Sequence, residues 1–143
     1  DNQVGFTGLT VREAGFGFVY MENGNSVAHS RADFSTTPTD GIYMDDGNSF
    51  TMADTRMRDI GDDAFDIGEN NALSISGTTI SGTVGDDLFD FEGPGNVFTG
   101  STGNVNDGVT IAADICDVSS GGFSGTFSFV DGTVLQNGVA PCL

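Results

Sequence analysis

The chain has 143 residues, enough for one domain with a continuous core. Its 21 acidic residues stand against four cations, all arginine, for a formal net charge of −17, which argues against nucleic acid and anionic membranes as partners. It contains no run of about 20 apolar residues, so no membrane insertion is expected, and residues 1–143 read as a single domain without a linker.

In chain order, one phrase returns about every 23 residues. Coil 1 (residues 1–26) carries Val4 and Phe6, then Val11, then Val19 and Met21. Coil 2 (27–49) repeats it as Val27 and His29, Phe34, Ile42 and Met44. Coil 3 (50–72) has Phe50 and Met52, Met57, Phe65 and Ile67. Coil 4 (73–96) has Leu73 and Ile75, Ile80, Phe89 and Phe91. Coil 5 (about 97–117) starts at Val97, is shorter, and continues the last ladder with Val109 and Ile111. Coil 6 (about 118–143) adds Leu135, and its Phe123-Ser124-Gly125-Thr126-Phe127 echoes Ile80-Ser81-Gly82-Thr83-Val84. Apolar residues at i and i+2 with polar neighbours are strand alternation. The Gly, Asn, Asp and Ser between them suit turns. Three strands per coil, with coils about 4.8 Å apart, predict an all-β parallel β-helix of about six coils with like residues stacked inside. The whole chain resembles the right-handed parallel β-helix (pectin-lyase-like) superfamily, which contains lyases, hydrolases, adhesins and phage tailspikes.

The most conspicuous repeat is Gly61-Asp62-Asp63-Ala64-Phe65-Asp66-Ile67 against Gly85-Asp86-Asp87-Leu88-Phe89-Asp90-Phe91. On the outward side of one sheet the ladder reads Tyr20, Tyr43, Asp66, Asp90. Asp62 and Asp63 should lie one coil from Asp86 and Asp87. Like charges one coil apart raise a carboxyl pKa or call for a bridging cation, and calcium takes six to eight oxygens of this kind. Asp62, Asp63, Asp66, Asp86, Asp87 and Asp90 are therefore the candidate ligands for Ca2+; a hydrated acidic edge with diffuse counterions is the plainer alternative.

Thr39-Asp40-Gly41-Ile42, followed one coil later by Gly61-Asp62-Asp63-Ala64, is similar to two signatures of polygalacturonase-type glycoside hydrolases. That resemblance implies Asp40, Asp62 and Asp63 as catalytic carboxylates, one acid and one base activating water. The family's Gly-His-Gly coil is Gly85-Asp86-Asp87 here, and no cation follows Arg58, so its Arg-x-Lys substrate clamp is missing. Arg56, the candidate base for a pectate-lyase-like reaction along with Arg58, falls 23 residues after Asp33 and should form an outward ion pair with it. His29 replaces Phe6 and Met52 on an inward ladder and is expected as a buried, hydrogen-bonded side chain. No nucleophile triad, zinc spacing or phosphate loop can be assembled.

Cys116 and Cys142 sit about one coil apart and predict a disulfide across the last coil, which suits an oxidising, extracellular setting. The chain starts at Asp1, consistent with a removed leader or a longer parent protein. The first strand begins almost at once, with no helix in front to cover its edge. The sequence thus points to a non-catalytic extracellular or cell-surface β-helix, a filament, fibre or adhesin subunit that stacks end to end and engages glycans. A polysaccharide-active hydrolase or lyase, or a remnant of one, is the alternative.

Overall fold

The structure is a computed structural model. It describes residues 2–105 and the strands at 110–111, 117–118, 123–129 and 134–136, with side chains described for residues 2–99. Coil 1 contains β1 (Gln3–Thr7), β2 (Thr10–Arg12) and β3 (Val19–Met21). Coil 2 contains β4 (Ser26–Ser30), β5 (Asp33–Thr37) and β6 (Ile42–Met44). Coil 3 contains β7 (Ser49–Ala53), β8 (Arg56–Ile60) and β9 (Phe65–Ile67). Coil 4 contains β10 (Ala72–Ser76), β11 (Thr79–Val84) and β12 (Phe89–Phe91). Each strand pairs in parallel with its counterpart one coil away. β1, β4, β7 and β10 form the first sheet, β2, β5, β8 and β11 the second, and β3, β6, β9 and β12 the third. The result is an all-β, parallel β-solenoid of about four regular turns.

The corners explain how so short a repeat closes. Three corner positions with positive φ recur from coil to coil, and coil 1 has one more, at Gly17. One corner is Gly8, Arg31, Asp54 and Gly77; the next is Glu13, Thr36, Asp59 and Gly82; the third is Gly24, Gly47, Asn70 and Gly95. Glycine takes this conformation at no steric cost, whereas other L residues pay about 1–2 kcal/mol for it.

The inward ladders are those expected from alternation. Met21, Met44, Ile67 and Phe91 are all buried, as are Phe34, Met57 and Ile80, and one hydrophobic cluster runs the length of the four coils. Phe65 and Phe89 stack at 4.9 Å. His29 is 3 % exposed, between Phe6 at 5.0 Å and Phe34 and Phe50. Thr55 Oγ1 donates to the Ala53 carbonyl, so the 3.2 Å contact between Thr55 Oγ1 and His29 Nδ1 has the imidazole as donor. Its Nε2 is then a bare acceptor, buried and without a partner. Burial lowers the His29 pKa to about 4.

A polar ladder runs beside this core. The backbone N–H of Asn25 donates to Asn48 Oδ1, that of Asn48 to Asn71 Oδ1, and that of Asn71 to Asn96 Oδ1, each at 2.8 Å. Buried turn N–H groups are thus satisfied by the neighbouring coil.

Beyond coil 4 the expected register fails. β11 carries an irregularity between Ser81 and Val84, and Asn96 answers Asn71 across 25 residues rather than 23. Phe98, not Val97, therefore sits opposite Leu73. A one-residue slip exchanges the faces of a strand: Phe98 is buried and Val97 is 45 % exposed. β13 (Asn96–Val105) continues from the first sheet into the second, with β14 (Thr110–Ile111) also on β11. Ile111 thus pairs with Val84, and it is Val118 in β15 (Asp117–Val118) that pairs with Phe91. β16 (Phe123–Phe129) stacks on β13 with Phe123 against Asn96, which places it in the first sheet, not beside Ile80, and makes the fifth repeat longer rather than shorter. β17 (Val134–Gln136) pairs antiparallel with β16, Leu135 opposite Phe127. The six-coil expectation is therefore not met, because an antiparallel return cannot continue a parallel stack. Val109, Cys116 and Cys142 lie outside the described residues.

Candidate functional site

The third sheet carries the acidic wall. Its outward positions are in register: Tyr20 on Tyr43, Tyr43 on Asp66, Asp66 on Asp90. The two tyrosine rings stack at 4.7 Å with an interplanar angle of 7°, and exposed Phe16 tilts against Tyr20 at 5.6 Å.

The turns entering β6, β9 and β12 hold the other carboxylates beside this ladder. The Gly41 N–H donates to the Asp63 carbonyl at 2.8 Å, and the Asp86 N–H to the Asp62 carbonyl at 3.2 Å. A Cβ on Gly61 would lie 2.9 Å from Pro38 Cα, and one on Gly85 would overlap the Gly61 carbonyl oxygen. Both Gly-Asp-Asp phrases therefore need their glycine for packing, whatever their aspartates do.

Two groups of three carboxylates converge. Asp40, Asp62 and Asp63 each present an oxygen within 4.8 Å of the others, and so do Asp66, Asp90 and Glu92. Of the six residues predicted as calcium ligands, Asp62 and Asp63 join Asp40, while Asp66 and Asp90 join Glu92. Asp86 is exposed and Asp87 buried, and the Asp87 N–H donates to Asp63 Oδ1 at 2.8 Å. The three residues of the hydrolase resemblance do meet. Glu92 was missed, although it lies two residues after Asp90, on the same side of an extended chain.

The electrostatics follow from burial and like charge. Desolvation raises the Asp63 pKa to about 7, with Asp90, Asp62 and Asp87 adding and the Asp87 N–H opposing. Asp66 also rises to about 7, through desolvation first and then Glu92, Asp40, Asp90 and Asp63; its Oδ1 is buried without a hydrogen-bond partner. Asp40 is raised by desolvation and by Asp62. No arginine offsets these shifts. Arg56 pairs in register with Asp33 on the second sheet, where the two make no ion pair among the described residues. His29 is in the core, as expected.

This arrangement defines a class by fold and surface, a parallel β-solenoid with one acidic wall. No family model matches the chain, and neither does any curated protein or solved structure.

Proposed function

We propose that the chain is a non-catalytic, extracellular structural or interaction module, a right-handed β-helix of the pectin-lyase-like kind whose acidic wall binds divalent cations. The observation that carries this is the pair of three-carboxylate groups with no arginine to neutralise them. Stacked carboxylates with a desolvated oxygen favour either a proton or a hard cation, and calcium is satisfied by oxygen ligands in flexible geometry. An ion bound only by the folded chain stabilises it by about 2.7 kcal/mol at a hundred times its dissociation constant. Calcium should therefore raise the melting temperature well beyond sodium at matched ionic strength, and Asp66→Asn should abolish part of the difference. Equal effects of the two salts would leave only screening and remove the site.

Self-association belongs to the same reading. Among the described residues, β1, β2 and β3 each have a hydrogen-bonded neighbour on one side only, and unpaired strand edges template further pairing. A second copy stacked on coil 1 would satisfy that edge, in keeping with a filament or surface-fibre subunit that meets glycans along its sides. Electron microscopy of the concentrated protein tests it, with isolated single particles as the opposing result.

One observation favours a second reading, a polysaccharide-active hydrolase: Asp40, Asp62 and Asp63 converge, and Asp63 is half protonated near neutrality, as a general acid requires. Incubation with polygalacturonate, pectin and alginate, with and without calcium, decides between them. The structural reading expects neither new reducing ends nor unsaturated products.

A further inference from the structure

Two of the four arginines, Arg31 and Arg56, lie around the corner between the first and second sheets, while Arg12 and Arg58 lie further along the second sheet, before its next corner. Arg31 and Asp54 occupy equivalent corner positions one coil apart, held in register by the Arg31 N–H to the Ala53 carbonyl at 3.0 Å and the Asp54 N–H to the Ser76 carbonyl at 2.9 Å. Two residues further on, Asp33 and Arg56 pair in register. Coil 2 thus offers plus then minus, and coil 3 minus then plus. Glycine at the corner and threonine two residues on, Gly8 with Thr10 and Gly77 with Thr79, bound this square of charge above and below.

Arg31, Asp33, Asp54, Thr55, Arg56 and Thr79 line a groove of about 380 Å³ here. Arg31, Asp54 and Arg56 are exposed and Asp33 is half-buried. None of the four charges closes an ion pair within its own chain, among the described residues.

A square of alternating charge matches itself. Turned over by a two-fold axis lying in the surface and along the solenoid, it sets Arg31 against Asp33 of a second copy and Asp54 against Arg56. With the two-fold axis across the solenoid, Arg31 meets Asp54 and Asp33 meets Arg56. Every contact joins opposite signs in both cases, which is the self-complementarity an isologous interface demands. We propose that this face is a lateral docking surface for a second copy of the chain. It uses a wall and not an end, so it stands apart from stacking on coil 1.

Each exposed pair contributes little, and two molecules of charge −17 repel at long range, so the dimer is weak and has a salt optimum. Sedimentation in chelator, which removes any calcium bridging, should be run at about 10 mM, about 150 mM and about 1 M salt, where the screening length is about 30, 8 and 3 Å. Dimer should peak at the middle value, where distant repulsion is screened and contact pairs survive. Arg31→Glu with Arg56→Glu leaves four negative charges, and Asp33→Lys with Asp54→Lys leaves four positive ones. Each variant alone should be monomeric, and an equimolar mixture should recover the dimer, with unchanged circular dichroism as the check on folding. A wild-type chain that stays monomeric at all three salts overturns the proposal. So does an oligomer that survives both double substitutions, since that one forms through the ends.

Discussion

On the inner side of the third sheet, Met21, Met44, Ile67 and Phe91 lie one above another, each at most 2 % exposed. One residue away in each strand, the outer side runs Tyr20, Tyr43, Asp66, Asp90 at the same spacing. The repeat sets like on like on both sides. Inside, that brings apolar surfaces together, at about 1.5–3 kcal/mol for each buried side chain. Outside, it lets two tyrosines stack and then sets two carboxylates together, where burial first and the neighbouring carboxylates second raise Asp66 to about 7. A solenoid amplifies the character of each position, favourable or not, because every residue meets its own equivalent.

The largest effect of substitution lies on the inner side. Phe65 is fully buried and stacked on Phe89, so Phe65→Ala should cost about 3–5 kcal/mol in denaturant unfolding. On the outer side the sign reverses. Asp66→Asn removes a like-charge contact and should stabilise by on the order of 1 kcal/mol at pH 8 without calcium; a loss there would mean the carboxylate is favourably placed.

Titration sharpens the same contrast. In the folded chain Asp63 and Asp66 hold protons up to about 7, against 3.8 for the free group. Between those values the folded state binds more protons, so their contribution to stability falls as pH rises. His29 works oppositely: its folded value is about 4 against 6.5, so stability falls as pH drops through that window. Above about 6.5 only the carboxylates act. Melting temperature should decline from pH 6.5 to 8, and Asp63→Asn with Asp66→Asn should flatten that limb. Below 6.5, His29→Phe should remove the opposing loss. The smallest effect lies at a corner. Thr36 is exposed, β-branched and held at φ +63°, so Thr36→Gly should gain about 0.5–1 kcal/mol by relieving strain, net of the added chain entropy.

The inner ladders of coils 1 to 4 were legible because alternation and a fixed period constrain the same residues twice. Val97 misled because the register slip came from an irregular β11 and a lengthened turn, which leave the local pattern of apolar residues intact. Ile111, 20 residues after Phe91, entered the ladder only by shortening coil 5, and Leu135 followed it at 24, but the chain had already left the period. Arg31 and Thr36 as corner residues were invisible, since, unlike glycine, asparagine or aspartate, neither side chain announces a positive φ. Of the site, the aspartates on the repeated phrase were readable, and so were Asp40, Asp62 and Asp63 as a group. Glu92 was hidden because its counterpart in coil 3 is Gly68, so no acidic repeat marked it.

The asparagine ladder bears on how such a molecule can change size. Asn25, Asn48 and Asn71 each have a turn N–H bonded by the asparagine of the following coil. Removing residues 48–70 would bring Asn71 to the place Asn48 held opposite Asn25, with the inward ladders and the corners matched again, since both steps here are of 23 residues. Removing part of a coil here would leave a buried N–H facing the wrong side chain, and a slip by an odd number of residues would also exchange the two faces of a strand. Over these coils length is therefore quantised: it grows or shrinks by whole coils, as a stack of plates does, and the two extra residues between Asn71 and Asn96 keep the ladder only alongside an irregular β11.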